Sequence, residues 1–208
     1  MLSGTYNPGI FDTQDIEAAK GIILTPELGL TTDERWETET PYLMTLIERL
    51  NLDRGSVVLD FGCGIGRLSK AILEKYNCTV IGLDISMNMR AMANIYVNNN
   101  NFSSIAPSAL HLLGGRIDAV ISVWALQHVL SLTNEIDNIN FMLKKAGKLF
   151  VVNERRRFVP TDKGWMDDSA DIFIELQRSF KTDEINVLDG SIVAKDVPSR
   201  SFWGVFHK

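Results

Sequence analysis

Val57-Val58-Leu59-Asp60-Phe61-Gly62-Cys63-Gly64-Ile65-Gly66-Arg67 is the stretch from which the fold can be read. Its first five residues are an apolar run interrupted only by Asp60, the pattern of a parallel strand covered on both faces. Glycines at 62, 64 and 66 then let the backbone turn sharply and approach a ligand closely. Behind them Leu68, Ala71, Ile72 and Tyr76 recur at helical spacing, up to a stop at Asn77. A second apolar run, Thr79 to Leu83, ends at Asp84, and Ser86 can cap a helix reaching about Val97. Strand, glycine loop, helix, strand and acid in this order form a βαβ unit. Its nucleotide-binding side is the carboxyl edge of the sheet, where Asp84 can accept from ribose hydroxyls.

The alternation continues outward. A strand near Ser103 to Ala106 and a short helical stretch, Ser108 to Leu113, precede a break at Gly114-Gly115. Ala119 to Val123 reads as a buried strand, followed by a helix from about Thr133 that carries Ile136, Ile139 and Leu143 inward. That helix is expected to hold Lys144 and Lys145 in its last turn and to stop at Gly147. Leu149 to Val152 is a fifth strand, Asp168 to Phe180 a helix, and Ile185 to Leu188, Ile192 to Ala194 and Phe202 to Phe206 three short strands. The implied architecture is α/β, a parallel sheet finished by an antiparallel pair. Residues 1–54 precede it as an arm and helix. Their clearest element is Pro41 to Leu50, with Thr40 as cap and Leu43, Leu46, Ile47 and Leu50 as its stripe, while residues 1–40 lack strong periodicity. Residues 55–208 form the binding domain proper.

At 208 residues and 23.3 kDa, with 45% hydrophobic and 23% charged residues, the chain fits one globular domain. Only Cys63 and Cys78 are present, away from zinc-ligand spacing, so a disulfide scaffold is excluded, and no structural metal and a cytoplasmic setting are expected. No apolar run reaches membrane-spanning length, and no membrane association is expected. Residues 1–54 hold 4 Lys/Arg against 10 Asp/Glu, and the whole chain carries −5. An acidic arm repels a polyanion, so nucleic acid is an unfavourable partner.

The spacing of the glycines bears on which nucleotide is bound. A dinucleotide fingerprint counted from Gly62 would put its third glycine at Arg67, so the fit to a nicotinamide cofactor is poor. The segment instead resembles motif I of the class I S-adenosylmethionine-dependent methyltransferases, D-x-G-x-G-x-G, matched by Asp60, Gly62, Gly64 and Gly66. Gly82-Leu83-Asp84-Ile85-Ser86 resembles the family's second motif, Asp118 to Val129 its fourth-strand motif and Leu143 to Val152 its fifth-strand motif. The resemblance covers Val57 to Val152. It implies a Rossmann-like, mostly parallel seven-stranded sheet ending in an antiparallel pair, with S-adenosylmethionine as cofactor. It also implies that Gly62 and Gly64 line the methionine moiety, with Phe61, Cys63 and Gly66 as further cofactor-binding candidates. Asp60 would help to position its ammonium, Asp84 would meet the ribose, Ile85 would flank the adenine, and Ser86 is a further cofactor-binding candidate. The acid that often meets the adenine amino group is absent after the third strand, where Ser108 or a backbone group stands in.

Other residues are weighed on chemistry. His128 follows the fourth strand and as a neutral imidazole could take a proton from an acceptor; the alternative is that it docks the next helix. Val123 and Trp124 are expected to wall the cofactor pocket. Arg35 and Trp36, just before the capped helix, are candidate pocket residues of an arm that covers the cofactor, or simply a helix start. Arg155, Arg156 and Arg157 would suit an acidic acceptor, but read better as a solvated run. The expected activity is methyl transfer to oxygen, nitrogen or carbon of a small molecule. RNA or protein methylation, a cofactor-binding module without turnover and a nicotinamide-dependent oxidoreductase are the rivals.

Overall fold

The computed structural model describes residues 4–27 and 29–208. Strand and helix alternate as β1 (Val57–Phe61), α3 (Arg67–Tyr76), β2 (Thr79–Leu83), α4 (Met87–Val97), β3 (Phe102–Ile105), β4 (Ile117–Val123), α5 (Leu132–Met142) and β5 (Leu143–Glu154). They are preceded by α1 (Ile16–Ile23) and α2 (Thr32–Ile47). They are followed by a hairpin of β6 (Val159–Thr161) and β7 (Gly164–Met166), then α6 (Ile172–Ser179), β8 (Lys181–Asn186), α7 (Val197–Arg200) and β9 (Ser201–His207). Seven strands form one sheet in the order β3-β2-β1-β4-β5-β9-β8. Its strands pair in parallel from β3 to β5, and β9 runs antiparallel to both of its neighbours. Successive strands run outward from β1 to β3, and the chain then returns to place β4 on the other side of β1. The crevice beyond the carboxyl ends of β1 and β4 is therefore the topological switch point.

Alternating strand residues separate two cores. Val58, Val80, Ala119, Ile121, Phe150 and Trp203 face α2 and α3, which bring Leu43, Ile47, Leu68 and Ile72. Leu59, Phe61, Val120, Leu149, Val151 and Phe206 face α5 and α6 through Ile136, Ile139, Ile172 and Leu176. Each such fully buried side chain contributes about 1.5–3 kcal/mol over leaving it in water. Ser86, Ser131 and Asp171 cap α4, α5 and α6 by accepting from Met89, Asn134 and Ile174 amides. Asn77 and Asn98 end α3 and α4 in left-handed geometry.

Four of the expected elements differ in the structure. The helix foreseen from Pro41 begins at Thr32, where Thr31 and Glu34 form a capping box, and Pro41 lies inside it rather than in its first turn. The helix foreseen up to Gly147 ends at Met142. Lys144 instead extends along β5 and pairs with Asp118 at 2.6 Å, so strand pairing with Ile117 takes over from helix propensity. Ile192 to Ala194 is a turn, with Val193 and Ala194 buried under α2, and the adjacent strand is Lys181–Asn186 rather than Ile185 to Leu188. The arm is structured: α1 is capped by Asp15 and contributes Ala19 to a small core with Ile65 and Met89. Among the described residues no helix is long and apolar enough to cross a membrane.

Candidate active site

A cavity of about 740 Å³ opens at the switch point, within the range that holds small ligands and cofactors. Phe61, Gly62 and Gly64 at the end of β1, Leu83, Asp84 and Ile85 at the end of β2, Pro107 after β3, and Val123, Trp124 and Ala125 at the end of β4 line it. The arm supplies the opposite wall, from Tyr6, Phe11 and Ile23 to Glu27, and Trp165 of the hairpin and Arg200 of α7 close its sides.

The glycine loop is held by the acid. Asp84 accepts from the Gly64 amide with one carboxylate oxygen and from the Ser86 amide with the other, both at 2.9 Å. Burial raises its pKa, and these two amides and Arg90 oppose the rise. Gly64 has φ +54°, and a Cβ there would stand 2.6 Å from Ile23 Cδ1, so the arm packs directly onto the loop. At Gly66, the αL residue that starts α3, a Cβ would meet Val97 Cγ2 at 2.4 Å. Beneath the loop Asp60 is 4% exposed and accepts from Ser69 Oγ at 2.6 Å. Burial pushes its carboxyl up to about 6, against the pull of Ser69 and Arg67. Arg67 is itself buried and pushed down to about 10, with Glu39 and Asp60 supporting its charge.

An ion-pair network runs along the arm side. Arg35 Nε donates to the buried Glu39 at 2.6 Å, and its Nη1 meets the Thr25 carbonyl at 2.6 Å and Glu27 at 3.2 Å. Arg200 binds Glu27, Glu154 and Asp196. The arm is fastened at two further points. Asp12 accepts from Ser86 Oγ and, at 3.0 Å, from Asn88. Residues 5–7 add to the hairpin, with the Asn7 amide donating to Pro160 and the Asp162 amide to Thr5.

His128 is the last residue of the 3-10 turn Leu126–His128 that follows β4. Its Nδ1 lies 2.8 Å from the Phe158 carbonyl, which can only accept, so the proton is on Nδ1 and the lone pair on Nε2. That lone pair already accepts from the Gln127 amide at 3.1 Å, and Gln127 Oε1 accepts from the Glu154 amide. Burial lowers the imidazole pKa, so the ring is neutral at pH 7. It packs with Phe11 and Trp165, with centroids 5.4 and 5.0 Å away. Trp124 takes φ +58°, a strained value for a residue with a side chain, with its amide donating to Val152.

The residues foreseen from sequence therefore divide. Phe61, Gly62, Gly64, Asp84, Ile85, Val123, Trp124, Arg35 and His128 meet around the cavity. Asp60, Cys63, Gly66 and Ser86 lie just behind that wall: Cys63 packs toward Gly82, Gly66 against Val97, and Ser86 caps α4. Trp36 is outside the wall, because α2 turns it onto Tyr96 and the Arg67 guanidinium. Ser108 is exposed in the 3-10 turn Pro107–Leu113, and Pro107 takes its place at the wall. Arg155, Arg156 and Arg157 pair with Asp171, Asp167 and Asp168. Tyr6, Phe11, Glu27, Glu135, Glu154, Trp165 and Arg200 were not foreseen, since scattered loop positions carry no periodic signal. Among the described residues no cluster of His, Cys, Asp and Glu could hold a metal ion.

Known proteins share this fold. A family model described as a methyltransferase domain matches residues 35–182, more than two thirds of the chain. The chain belongs to that family, and with its strand order and glycine loop it is of the class I, S-adenosylmethionine-dependent type, with S-adenosylmethionine as cofactor. The ubiquinone biosynthesis O-methyltransferase of Coxiella burnetii (strain Dugway 5J108-111) is 31% identical over 122 residues, covering 57% of this chain and 52% of that protein. Phosphoethanolamine N-methyltransferase 1 of Zea mays is 51% identical over 43 residues, 21% of this chain and 9% of that protein. The chain thus spans about half or less of the length of these curated relatives. The crystal structure of an S-adenosylmethionine-dependent methyltransferase from Mesorhizobium loti superposes with a TM-score of 0.61 at 16% identity, covering 82% and 98% of the two chains, a likeness of fold.

Proposed function

We propose that this chain transfers the methyl group of S-adenosylmethionine to an oxygen, nitrogen or carbon atom of a small-molecule acceptor inside the covered cavity. The observation that carries this reading is the cavity's position at the switch point, with Gly62, Gly64 and Asp84 in its wall. Bound there, the cofactor supplies a methyl group on a sulfonium, which needs no further activation. Asp84 keeps lone-pair sites beyond its two amide bonds, suited to ribose hydroxyls. The exposed Ile85 and Pro107 offer apolar flanks to an adenine. Asp60, just beneath the loop, suits the ammonium of the amino-acid end.

The arm, with Ile23 on the loop and Asp12 on α4, excludes water and completes the acceptor side. Because Gln127 already uses the His128 lone pair, a proton can reach Nε2 only when that bond is exchanged. Alignment is the main contribution left to the protein, and it can be worth up to ~7–11 kcal/mol. The test is release of S-adenosylhomocysteine from S-adenosylmethionine on addition of a fractionated metabolite extract. Turnover with one fraction and a melting shift with either cofactor form are expected. A melting shift from NADH and none from S-adenosylmethionine or S-adenosylhomocysteine would overturn the reading.

A further inference from the structure

We propose that the acceptor enters with a positively charged amine group directed at Glu135, which rests on the reading of the cavity as a methyl-transfer site. Six side chains of opposite charge line the cavity: Glu27, Asp84, Glu135 and Glu154 against Arg35 and Arg200. Neither arginine is free to receive an anion. Arg35 is held by Glu39 and Glu27, and Arg200 by Glu27, Glu154 and Asp196. Asp84 is met by two backbone amides. Glu135 is different. Its side chain accepts from the Asn138 amide at 3.2 Å, and among the described residues it has no ion pair.

The wall has an excess of two negative charges. The sulfonium of a bound cofactor offsets one of them, since its ammonium and carboxylate cancel. One carboxylate remains for the acceptor: of the two without an ion pair among the described residues, Asp84 is met by two backbone amides, which leaves Glu135. Its surroundings suit an alkylammonium. Tyr6, Phe11, His128 and Trp165 line the same cavity, and the Phe11, His128 and Trp165 rings lie 5.0–6.2 Å apart. Aromatic faces attract cations, and most strongly where water is excluded. An anionic acceptor would lose its hydration without gaining a free cation. The three arginines that could have drawn one are bound to Asp171, Asp167 and Asp168. Tyr6 feels the same charge, as burial and then Glu135 and Asp84 raise its hydroxyl pKa.

The experiment uses the full chain saturated with S-adenosylhomocysteine and three probes of similar shape: benzyltrimethylammonium, benzyl alcohol and benzoate. Calorimetry should show benzyltrimethylammonium binding more tightly than the neutral and anionic probes. Glu135→Gln should weaken that binding about tenfold, as loss of a charge-assisted contact does, and leave S-adenosylhomocysteine affinity unchanged. Benzoate or benzyl alcohol binding as well as the cation would overturn the proposal in the parent protein alone, whatever the variant does. A cation affinity equal in parent and variant would also overturn it. If S-adenosylhomocysteine itself fails to bind, the methyltransferase reading falls first, and with it this one.

Discussion

Replacing Asp60 by Asn should stabilise the cofactor-free protein while weakening its cofactor site. Asp60 is buried at the end of β1, and burial pushes its carboxyl up to about 6 from an ordinary 3.8. An acid with a raised folded pKa binds more protons in the folded state. Folding is therefore most favoured below about pH 4, and stability falls as the pH rises through about 6. The gap corresponds to about 3 kcal/mol at neutral pH. Asn has the same shape, can still accept from Ser69 Oγ, and has no charge to desolvate. Arg67 would lose one supporting charge but keep Glu39. The net gain should be about 1–3 kcal/mol, or roughly 2–10 °C in melting temperature for a chain of this length. Thermal melts at pH 7.5 and pH 4 check it: the variant should melt higher at pH 7.5, with the difference closing at pH 4. Titration with S-adenosylhomocysteine should show weaker binding. A variant that melts no higher than the parent at pH 7.5, or that keeps the same advantage at both pH values, would refute the desolvation argument.

Asp84→Asn puts an amide NH₂ against the Gly64 or Ser86 N–H; an unsatisfied amide costs ~1–3 kcal/mol, so melting should drop and S-adenosylhomocysteine affinity fall at least tenfold by calorimetry. Gly66→Ala combines a left-handed backbone, ~1–2 kcal/mol, with a clash on Val97, ~1–3 kcal/mol, and should lower the melting temperature by about 5–15 °C. Deleting residues 1–30 removes Ile23 and Glu27 from the cavity wall but spares α2 and its cap; circular dichroism should show the sheet retained while cofactor affinity drops. His128 has a depressed pKa, so its contribution to stability is present above its ordinary value and lost as the pH falls through the folded one. Nitrogen-15 NMR at pH 7.5 should find it neutral and protonated at Nδ1.

The unit from Val57 to Val97 was legible because every level of the sequence agrees there: apolar strands, glycines between strand and helix, Ser86 as a cap and Asn77 and Asn98 as stops. The start of α2 was hidden although Thr31 and Glu34 spell a capping box. Its buried face is made of charged residues, Arg35 and Glu39, so an apolar stripe could not reveal it. Pro41 then looked like a first-turn residue, yet α2 continues through it without the hydrogen bond its missing N–H would make. The far wall of the cavity was not legible at all. Glu27, Glu154 and Arg200 come together only through the fold, and the strands Val159–Thr161 and Gly164–Met166 are too short to show alternation.

The cover over the cavity is stitched from distant parts of the chain. Thr5 bonds Asp162, and Tyr6 pairs with Thr161, contacts separated by more than 150 residues of sequence. Closing so long a loop is entropically unfavourable until the intervening sheet has brought its ends near. The cover should therefore assemble last in folding and open first in the native state, as a cooperative unit of lower stability than the sheet. The free energy of that opening, rather than any contact inside the cavity, would then set how fast spent cofactor leaves and how many turnovers per second the protein can sustain.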